Sequence, residues 1–386
     1  MLRQRSHDPG GADGCRPEGA FGGPSSSHGR TAARRRLGAA DSGWRDDVKS
    51  GVDASTAVRR GTRLPRMRTI DWVDGGVELI DQTALPGELI VQRVTAVADL
   101  IAAIRSLAVR GAPALGVAGA FGVALAVREF AGDAEGTARA VRAVEVARPT
   151  AVNLARGVRR AAARLDDGPE AVLAEACAVR DEEIAASTAM AAFGADLLQE
   201  LCGERPRVLT HCNTGALAAV VGGTALAVVF ELHRRGALAG VIASETRPLL
   251  QGARLTAWEL DKAGIQFRVA VDSAGPFLLA RGEADAVILG ADRICANGDV
   301  INKVGTYAHA LGSRRAGVPF VVVAPESTVD MDTPDGGAVE IEDRGSAEVT
   351  PFSAAVNPAF DITPHDLVTA IVTDRRVVRL DRGEKL

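Results

Sequence analysis

From about residue 205 onward the chain alternates short apolar runs with helical patterns, a rhythm that few folds accept. The apolar runs are 207–210, 240–243, 267–271, 286–289 and 319–323. They are bounded by Gly, Pro or polar residues and are too short for helices. Helical patterns lie between them, over 214–235, 249–263, 276–283 and 303–316. Strands that alternate with helices pair in parallel, so this half predicts an open α/β sheet flanked by helices. In such sheets ligands bind beyond the carboxyl ends of the strands. Polar residues gather at those ends: 211–215 after the first run, 244–247 after the second, 272–273, 291–293 and 325–328 after the others. Five polar clusters on one edge predict an active site there.

The part before 205 reads differently. Residues 76–81 and 88–91 are strand-like, and 97–109, 114–130, 132–146, 152–165 and 169–201 read as helices, the last long enough to link two domains. A length of 386 residues fits about two domains. The expected organisation is a mostly helical domain with a small β region over 67–200, then the α/β domain over 201–386. Residues 1–66 hold 11 Gly and 13 Arg and Lys against 7 Asp and Glu, with few apolar residues. Such a segment cannot bury enough surface to offset its ordering entropy. It reads as a disordered extension, with a basic partner-binding tail as the functional alternative. It lacks the apolar central run of a secretory signal, and Met67, where organised patterning begins, is the expected natural start.

The remainder of the chain is acidic, with 32 basic residues against 42 acidic, which argues against broad nucleic-acid binding. Five Cys without a C-x-x-C pair fit free thiols in a reducing cytoplasm. No His or Cys spacing suggests a metal site. The uncharged stretches 111–127 and 213–230 are rich in Ala, Gly and Val, and read as buried helices rather than membrane spans.

Several residues carry possible chemistry. Only four of the 45 basic residues are Lys, and Lys303 is expected to open a helical stretch just beyond Asp292. Lys is a compact point charge that suits a phosphate or a developing oxyanion. Asp292 is either a general acid–base group or a turn cap. Arg110-Gly111-Ala112-Pro113 precedes a helix whose free N–H groups would suit an anion; an ordinary turn is an equal reading. Arg148 is either a phosphate ligand or solvated, and spacing favours the second. Cys212 stands between a strand and a helix start, where the dipole favours a thiolate, although a lone Cys is more often inert. His211 and Cys212 are neighbours on a strand and point to opposite faces, so they are not expected to form a catalytic pair. Gln251 is a possible ligand donor. No P-loop or G-x-G-x-x-G is present, against ATP hydrolysis and dinucleotide redox chemistry.

Read together, these residues resemble the methylthioribose-1-phosphate isomerase family of methionine salvage. The likeness runs through Asp81-Gln82-Thr83, Arg110-Gly-Ala-Pro-Ala-Leu-Gly116, Arg148-Pro-Thr-Ala-Val-Asn-Leu154 and Leu209-Thr-His-Cys-Asn-Thr-Gly215. It continues through Ser244-Glu-Thr-Arg-Pro-Leu-Leu-Gln-Gly252 to Leu260, Gly290-Ala-Asp-Arg-Ile294, Asn302-Lys-Val-Gly-Thr306 and Asn357-Pro-Ala-Phe-Asp361. The resemblance implies a helical N-terminal domain, a Rossmann-like C-terminal domain and a cytoplasmic homodimer with no metal or organic cofactor. It implies Cys212 and Asp292 as catalytic residues, and Arg110, Gly111, Ala112, Arg148, Gln251, Asn302 and Lys303 as binding residues for a phosphorylated pentose. No nucleic-acid or membrane partner is expected. The implied reaction is isomerisation of S-methyl-5-thio-α-D-ribose 1-phosphate to the ribulose 1-phosphate. The alternatives are an isomerase of 5-deoxyribose 1-phosphate or ribose 1,5-bisphosphate, or a binding subunit like the regulatory subunits of the translation initiation guanine-exchange factor, which share the fold. Departures from the family are a short segment at 348–356, Arg156 where an aromatic residue is usual, and Ser244 and Leu249.

Removing residues 1–66 should leave soluble yield and turnover almost unchanged; a chain begun at Met67 that precipitates or loses its rate would refute this.

Overall fold

The computed structural model describes residues 68–148 and 151–386. The expectations for residues 1–66 and the start at Met67 lie outside the described residues. The first strands, β1 (Ile70–Val73) and β2 (Gly76–Ile80), form a hairpin closed by Asp74 and Gly75, both at positive φ. Asp-Gly is a preferred two-residue hairpin turn because it tolerates that conformation. β3 (Val91–Val94) completes the antiparallel sheet. The strand expected at 88–91 thus begins where that expectation ended, after the turn that contains Pro86 and Gly87.

Five helices follow: α1 (Val97–Arg105), α2 (Ala112–Glu129), α3 (Ala134–Glu145), α4 (Val152–Ala162) and α5 (Pro169–Cys202). α2 is apolar around most of its circumference and is the one described helix with the length and composition to cross a bilayer. Its residues from Pro113 to Ala126 are all buried, which makes it the central helix of the bundle. α2 and α4 meet through small residues. A Cβ at Gly157 would lie 1.9 Å from the Gly116 carbonyl oxygen, and one at Gly119 would lie 2.5 Å from that of Leu154. This close crossing sets the start of α2, which carries Arg110–Ala112, against the start of α4, which follows Arg148. α5 begins in the helical core at Val172, Ala176 and Val179, and ends in the sheet core at Met190, Leu197 and Leu198. All described residues belong to one compact unit.

The chain then builds β4 (Arg207–Thr210), α6 (Ala225–Arg234), β5 (Gly240–Ser244), α7 (Ala257–Lys262), β6 (Phe267–Ala270), α8 (Gly275–Ala280) and β7 (Ala286–Leu289). Next come β8 (Arg293–Cys295), β9 (Val300–Lys303), α9 (Thr306–Ala316), β10 (Phe320–Val323), β11 (Val329–Asp330), β12 (Phe360–Thr363), β13 (Ala370–Val372) and β14 (Val377–Val378). The main sheet runs β14-β13-β10-β7-β4-β5-β6 and is parallel except for β14. All five predicted apolar runs are strands of this sheet. The fold is α/β, with a helical N-terminal part and a mostly parallel sheet.

Three expectations are corrected. Lys303 does not open a helix: it ends β9, part of a small sheet ordered β11-β8-β9-β12, and α9 begins at Thr306 after Gly305 at φ +107°. The helix expected at 214–235 starts only at Ala225. Gly222 and Gly223 have positive φ, and Thr224 N–H donates to the Thr214 carbonyl at 2.8 Å, so the chain closes a loop first. Likewise the stretch 249–263 holds a π-helical turn at Gly252–Thr256 before α7.

Gly157→Ala tests the helix crossing. An added methyl gains about 0.5–1 kcal/mol in helix propensity, but overpacking costs about 1–3 kcal/mol. We expect net destabilisation as a lower urea midpoint; an unchanged or higher midpoint would show that the crossing is not tight.

Candidate active site

The strand order reverses between β4 and β7. From β4 the chain proceeds outward to β5 and β6, then returns to the other side of β4 as β7 and continues to β10. Loops leaving β4 and β7 therefore diverge and open a crevice at the carboxyl edge. A cleft with about 820 Å³ of empty space, its open mouth included, occupies that edge. All nine residues singled out in the sequence line it: Arg110, Gly111 and Ala112 from the turn before α2, Arg148 ahead of α4, Cys212 after β4, Gln251 after β5, Asp292 after β7, and Asn302 and Lys303 at the end of β9.

Cys212 has φ +60°, unusual for a non-glycine residue. Two hydroxyls hold it there: its N–H donates to Thr246 Oγ1 at 2.9 Å, and Thr256 Oγ1 donates to its carbonyl at 2.6 Å. Thr246 is itself at φ +68° and is fixed by Asp272, which accepts its N–H at 2.8 Å. A strained backbone fixed from both sides aims the thiol at the cavity. The other described thiols lie outside the cavity, and burial makes them poor acids: it raises Cys177, and pushes Cys202 up to about 12 and Cys295 to about 11.

His211 lies fully buried and makes no pair with Cys212. Its Nε2 bonds the Val304 carbonyl at 2.8 Å, its Nδ1 lies 3.3 Å from His309 Nε2, and Ser244 Oγ is 2.9 Å from the same His309 nitrogen. Ser244, one of the departures noted above, thus supports this buried pair.

Asp292 is raised from the ordinary carboxylate range by burial, while Lys303, Arg148 and Arg110 pull it back. Burial lowers Lys303, opposed by Cys212 and Asp292; its Nζ donates to the Ala359 carbonyl at 2.7 Å and sits 4.5 Å from the Phe360 ring centre. Burial likewise lowers Arg148, although a guanidinium remains charged. Asn302 Nδ2 donates to Thr306 Oγ1 at 2.8 Å. Gln251 Oε1 is buried without a hydrogen-bond partner among the described residues, so it offers an unmet polar group to a ligand.

Sequence reading missed three participants. Arg344 lines the cavity and is held by Glu348 and Glu342. It lies in an irregular charged segment that gives no periodic signal. Asn213 stood in a quoted motif without a role, and Glu259 looks like an ordinary helix acid; Asn213 holds Arg110, and Glu259 holds Asn213. Among the departures, Arg156 donates to the Ser327 carbonyl at 3.0 Å, next to the loop after β10, and Leu249 lines the cavity. In the short segment 348–356, Glu348 faces Arg344 while Phe352 and Val356 are exposed.

Residues 108–379 match the initiation factor 2 subunit family. The chain belongs to that family. It is 50% identical over 331 residues to a probable bifunctional methylthioribose-1-phosphate isomerase/methylthioribulose-1-phosphate dehydratase of Nocardia farcinica, covering 81% of this chain but only 60% of that longer protein. It is 47% identical over 332 residues to the 5-deoxyribose 1-phosphate isomerase of Moorella thermoacetica, covering 80% of this chain and 93% of that one. The crystal structure of 5-methylthioribose 1-phosphate isomerase from Pyrococcus horikoshii matches with a TM-score of 0.76 at 38% identity, over 81% of this chain and 92% of that one.

The two buried imidazoles are expected to favour the native state less as pH falls. Burial lowers His211 from 6.5 to about 4 and His309 from 6.5 to about 3. Below 6.5 the unfolded chain takes up protons that the native core refuses, so their contribution, complete above 6.5, is lost as pH falls toward 4 and 3. Glu259, lifted to about 7, and Asp361, lifted to about 6, act in the opposite sense within part of that window. The test is therefore a difference: His309→Gln should flatten the acid fall in thermal midpoint between about pH 6.5 and 4. Parallel Tm–pH curves for the two proteins would remove His309 from the acid response.

Proposed function

We propose that the chain is an aldose–ketose isomerase that converts S-methyl-5-thio-α-D-ribose 1-phosphate to S-methyl-5-thio-D-ribulose 1-phosphate in methionine salvage. The observation that carries the reading is the convergence of Asp292 and Cys212 with Arg110, Arg148 and Lys303 in one cavity at the strand-order reversal. The cations suit a phosphate, and the two titratable groups suit proton movement. The relatives named for this chemistry support the same substrate class.

The reaction needs few movements. The phosphate on C1 blocks simple release of an aldehyde, so the ring must open by cleavage of the bond between C1 and the ring oxygen. That oxygen gains a proton, the C2 hydroxyl loses one, and the hydrogen on C2 moves to C1. Phosphate stays attached throughout, and no electrons leave the sugar. Asp292, raised by burial, suits donation to the ring oxygen and return of the proton. Cys212 is the second group that can exchange a proton at the sugar. Arg110, Arg148, Lys303 and the N–H groups at the start of α2 hold the phosphate, while Gln251 and Asn302 orient hydroxyls. In this reading 67–200 is the domain that supplies the two arginines and 201–386 is the catalytic domain. The enzyme acts as a cytoplasmic homodimer without nucleic acid or membrane, and residues 1–66 take no part.

A second reading keeps the chemistry and changes the 5-substituent to that of 5-deoxyribose 1-phosphate, favoured by the Moorella thermoacetica relative and by Leu249 in the cavity wall. Comparing kcat/KM on the two sugars decides between them. A stable complex with an initiation factor and no turnover of either sugar would instead make the chain a binding subunit.

Asp292→Asn keeps size but cannot exchange a proton near neutral pH, and Cys212→Ser replaces the thiol with a far weaker acid. Each should remain folded, bind substrate and lose about 10²–10⁴-fold in kcat. Cys177→Ser and Cys202→Ser should stay active. Near-normal turnover by folded Asp292→Asn or Cys212→Ser would remove that residue from the chemistry.

A further inference from the structure

Arg110 is only 8% exposed, and a buried guanidinium usually sits against a carboxylate. Here its two terminal nitrogens donate instead to Asn213, Nη1 to Oδ1 and Nη2 to the backbone carbonyl, both at 2.8 Å. Neither acceptor is charged. The carboxylate stands one residue further back. Glu259, fully buried, accepts from Asn213 Nδ2 at 2.7 Å through Oε1 and from Ala216 N–H at 2.7 Å through Oε2.

We propose that Glu259 is a positioning residue for substrate binding, which locks the Asn213 amide so that Arg110 is held by neutral oxygens and keeps its charge for the substrate phosphate. This rests on the reading of Arg110 as a phosphate ligand. Above about pH 7 Glu259 is ionised, and an ionised carboxylate only accepts hydrogen bonds. Glu259 therefore dictates that Asn213 turns its Nδ2 inward and its Oδ1 toward Arg110, an orientation the amide alone would not fix. The turn 213–216 wraps the carboxylate closely: a Cβ at Gly215 would lie 2.4 Å from both Glu259 oxygens. One helical turn earlier, Thr256 donates to the Cys212 carbonyl at 2.6 Å and accepts from Asn213 Nδ2 at 3.3 Å. Thr256 and Glu259 thus set the thiol and the phosphate cation in one frame. An Asp at 213 would satisfy the same donors, but would neutralise Arg110 before substrate arrived.

That last point gives the test. The double variant Asn213→Asp/Glu259→Gln exchanges amide and carboxylate. At about pH 8 it keeps net charge, the bond between residues 213 and 259 and the acceptors of Arg110, giving up only the 3.3 Å donation from residue 213 to Thr256, with Arg110 now facing the charge directly. Thermal midpoint, calorimetric binding of inorganic phosphate, and KM and kcat on the sugar phosphate are measured for wild type, Arg110→Ala, Glu259→Gln and the double variant. Glu259→Gln should melt lower and bind phosphate more weakly. The double variant should regain the melting temperature yet bind phosphate at least about tenfold more weakly, with KM raised by a similar factor and kcat changed far less. A double variant that binds phosphate and substrate like wild type makes Glu259 merely structural and overturns the proposal. So does one that melts as low as Glu259→Gln, or a wild type that binds phosphate no better than Arg110→Ala. A wild type that binds phosphate through Arg110 but does not isomerise the sugar sinks the isomerase reading alone.

Discussion

The reversal of strand order between β4 and β7 is the constraint on which the rest depends. The chain must leave β4 toward one side of the sheet and leave β7 toward the other, so the two loops cannot pack on each other at the carboxyl edge. The space between them has to be filled by something else. The helical part fills its rim, with the turn before α2 and the residue ahead of α4 reaching over the gap. The close crossing of α2 and α4 follows from that demand: small residues let two helix starts come near enough to supply Arg110 and Arg148 together.

Electrostatics explains why so much surrounding structure is rigid. Arg110, Arg148, Lys303 and Arg344 line one cavity with Asp292, and burial works against the charge of Arg148, Lys303 and Asp292. Such groups would move apart or seek water if their side chains were free. Three of the cations are anchored by neighbours: Asn213 holds Arg110, the Ala359 carbonyl holds Lys303 and Glu348 holds Arg344. Preorganised charge costs no reorganisation when a phosphate arrives, which is where such sites gain most of their effect. The strained Cys212 and Thr246 belong to the same arrangement, since their hydroxyl and carboxylate partners hold the loop after β4 in a single conformation.

The central strands were legible because strands buried on both faces read as unbroken apolar runs. Among the minor strands β2 was legible, as the strand-like stretch 76–81, but β1, β8, β9 and β12 were not. β1 carries Asp71, β8 carries Arg293, β9 ends in Lys303 and β12 holds Asp361, so none is an apolar run, and each exists through its pairing partner. The stretch 214–235 was misread because Ala, Gly and Val suit a buried loop as well as a buried helix. Val220 packs into the helical core, and only the Gly222-Gly223 pair marks the break. The cavity residues were legible where a strand end or a family motif exposed them. Arg344 was not, because its segment is irregular, and neither was Glu259 behind the cavity, whose partners Asn213 and Ala216 are far away in sequence.

Glu259 shows how far such dependence extends. In sequence it is an acid between Trp258 and Leu260, indistinguishable from a solvated helix residue. In the fold it is buried beneath a turn that has no room for a side chain at 215, and burial lifts it to about 7 against the hydrogen bonds from Asn213 and Ala216 and the charge of Arg110. A core optimised for stability alone would favour an apolar residue there, since a buried carboxylate is costly to desolvate. A carboxylate at this position makes sense where orientation matters more than stability. A carboxylate placed one amide away from a guanidinium orders the donor network while leaving the cation unpaired, which neither an apolar residue nor a direct salt bridge can do.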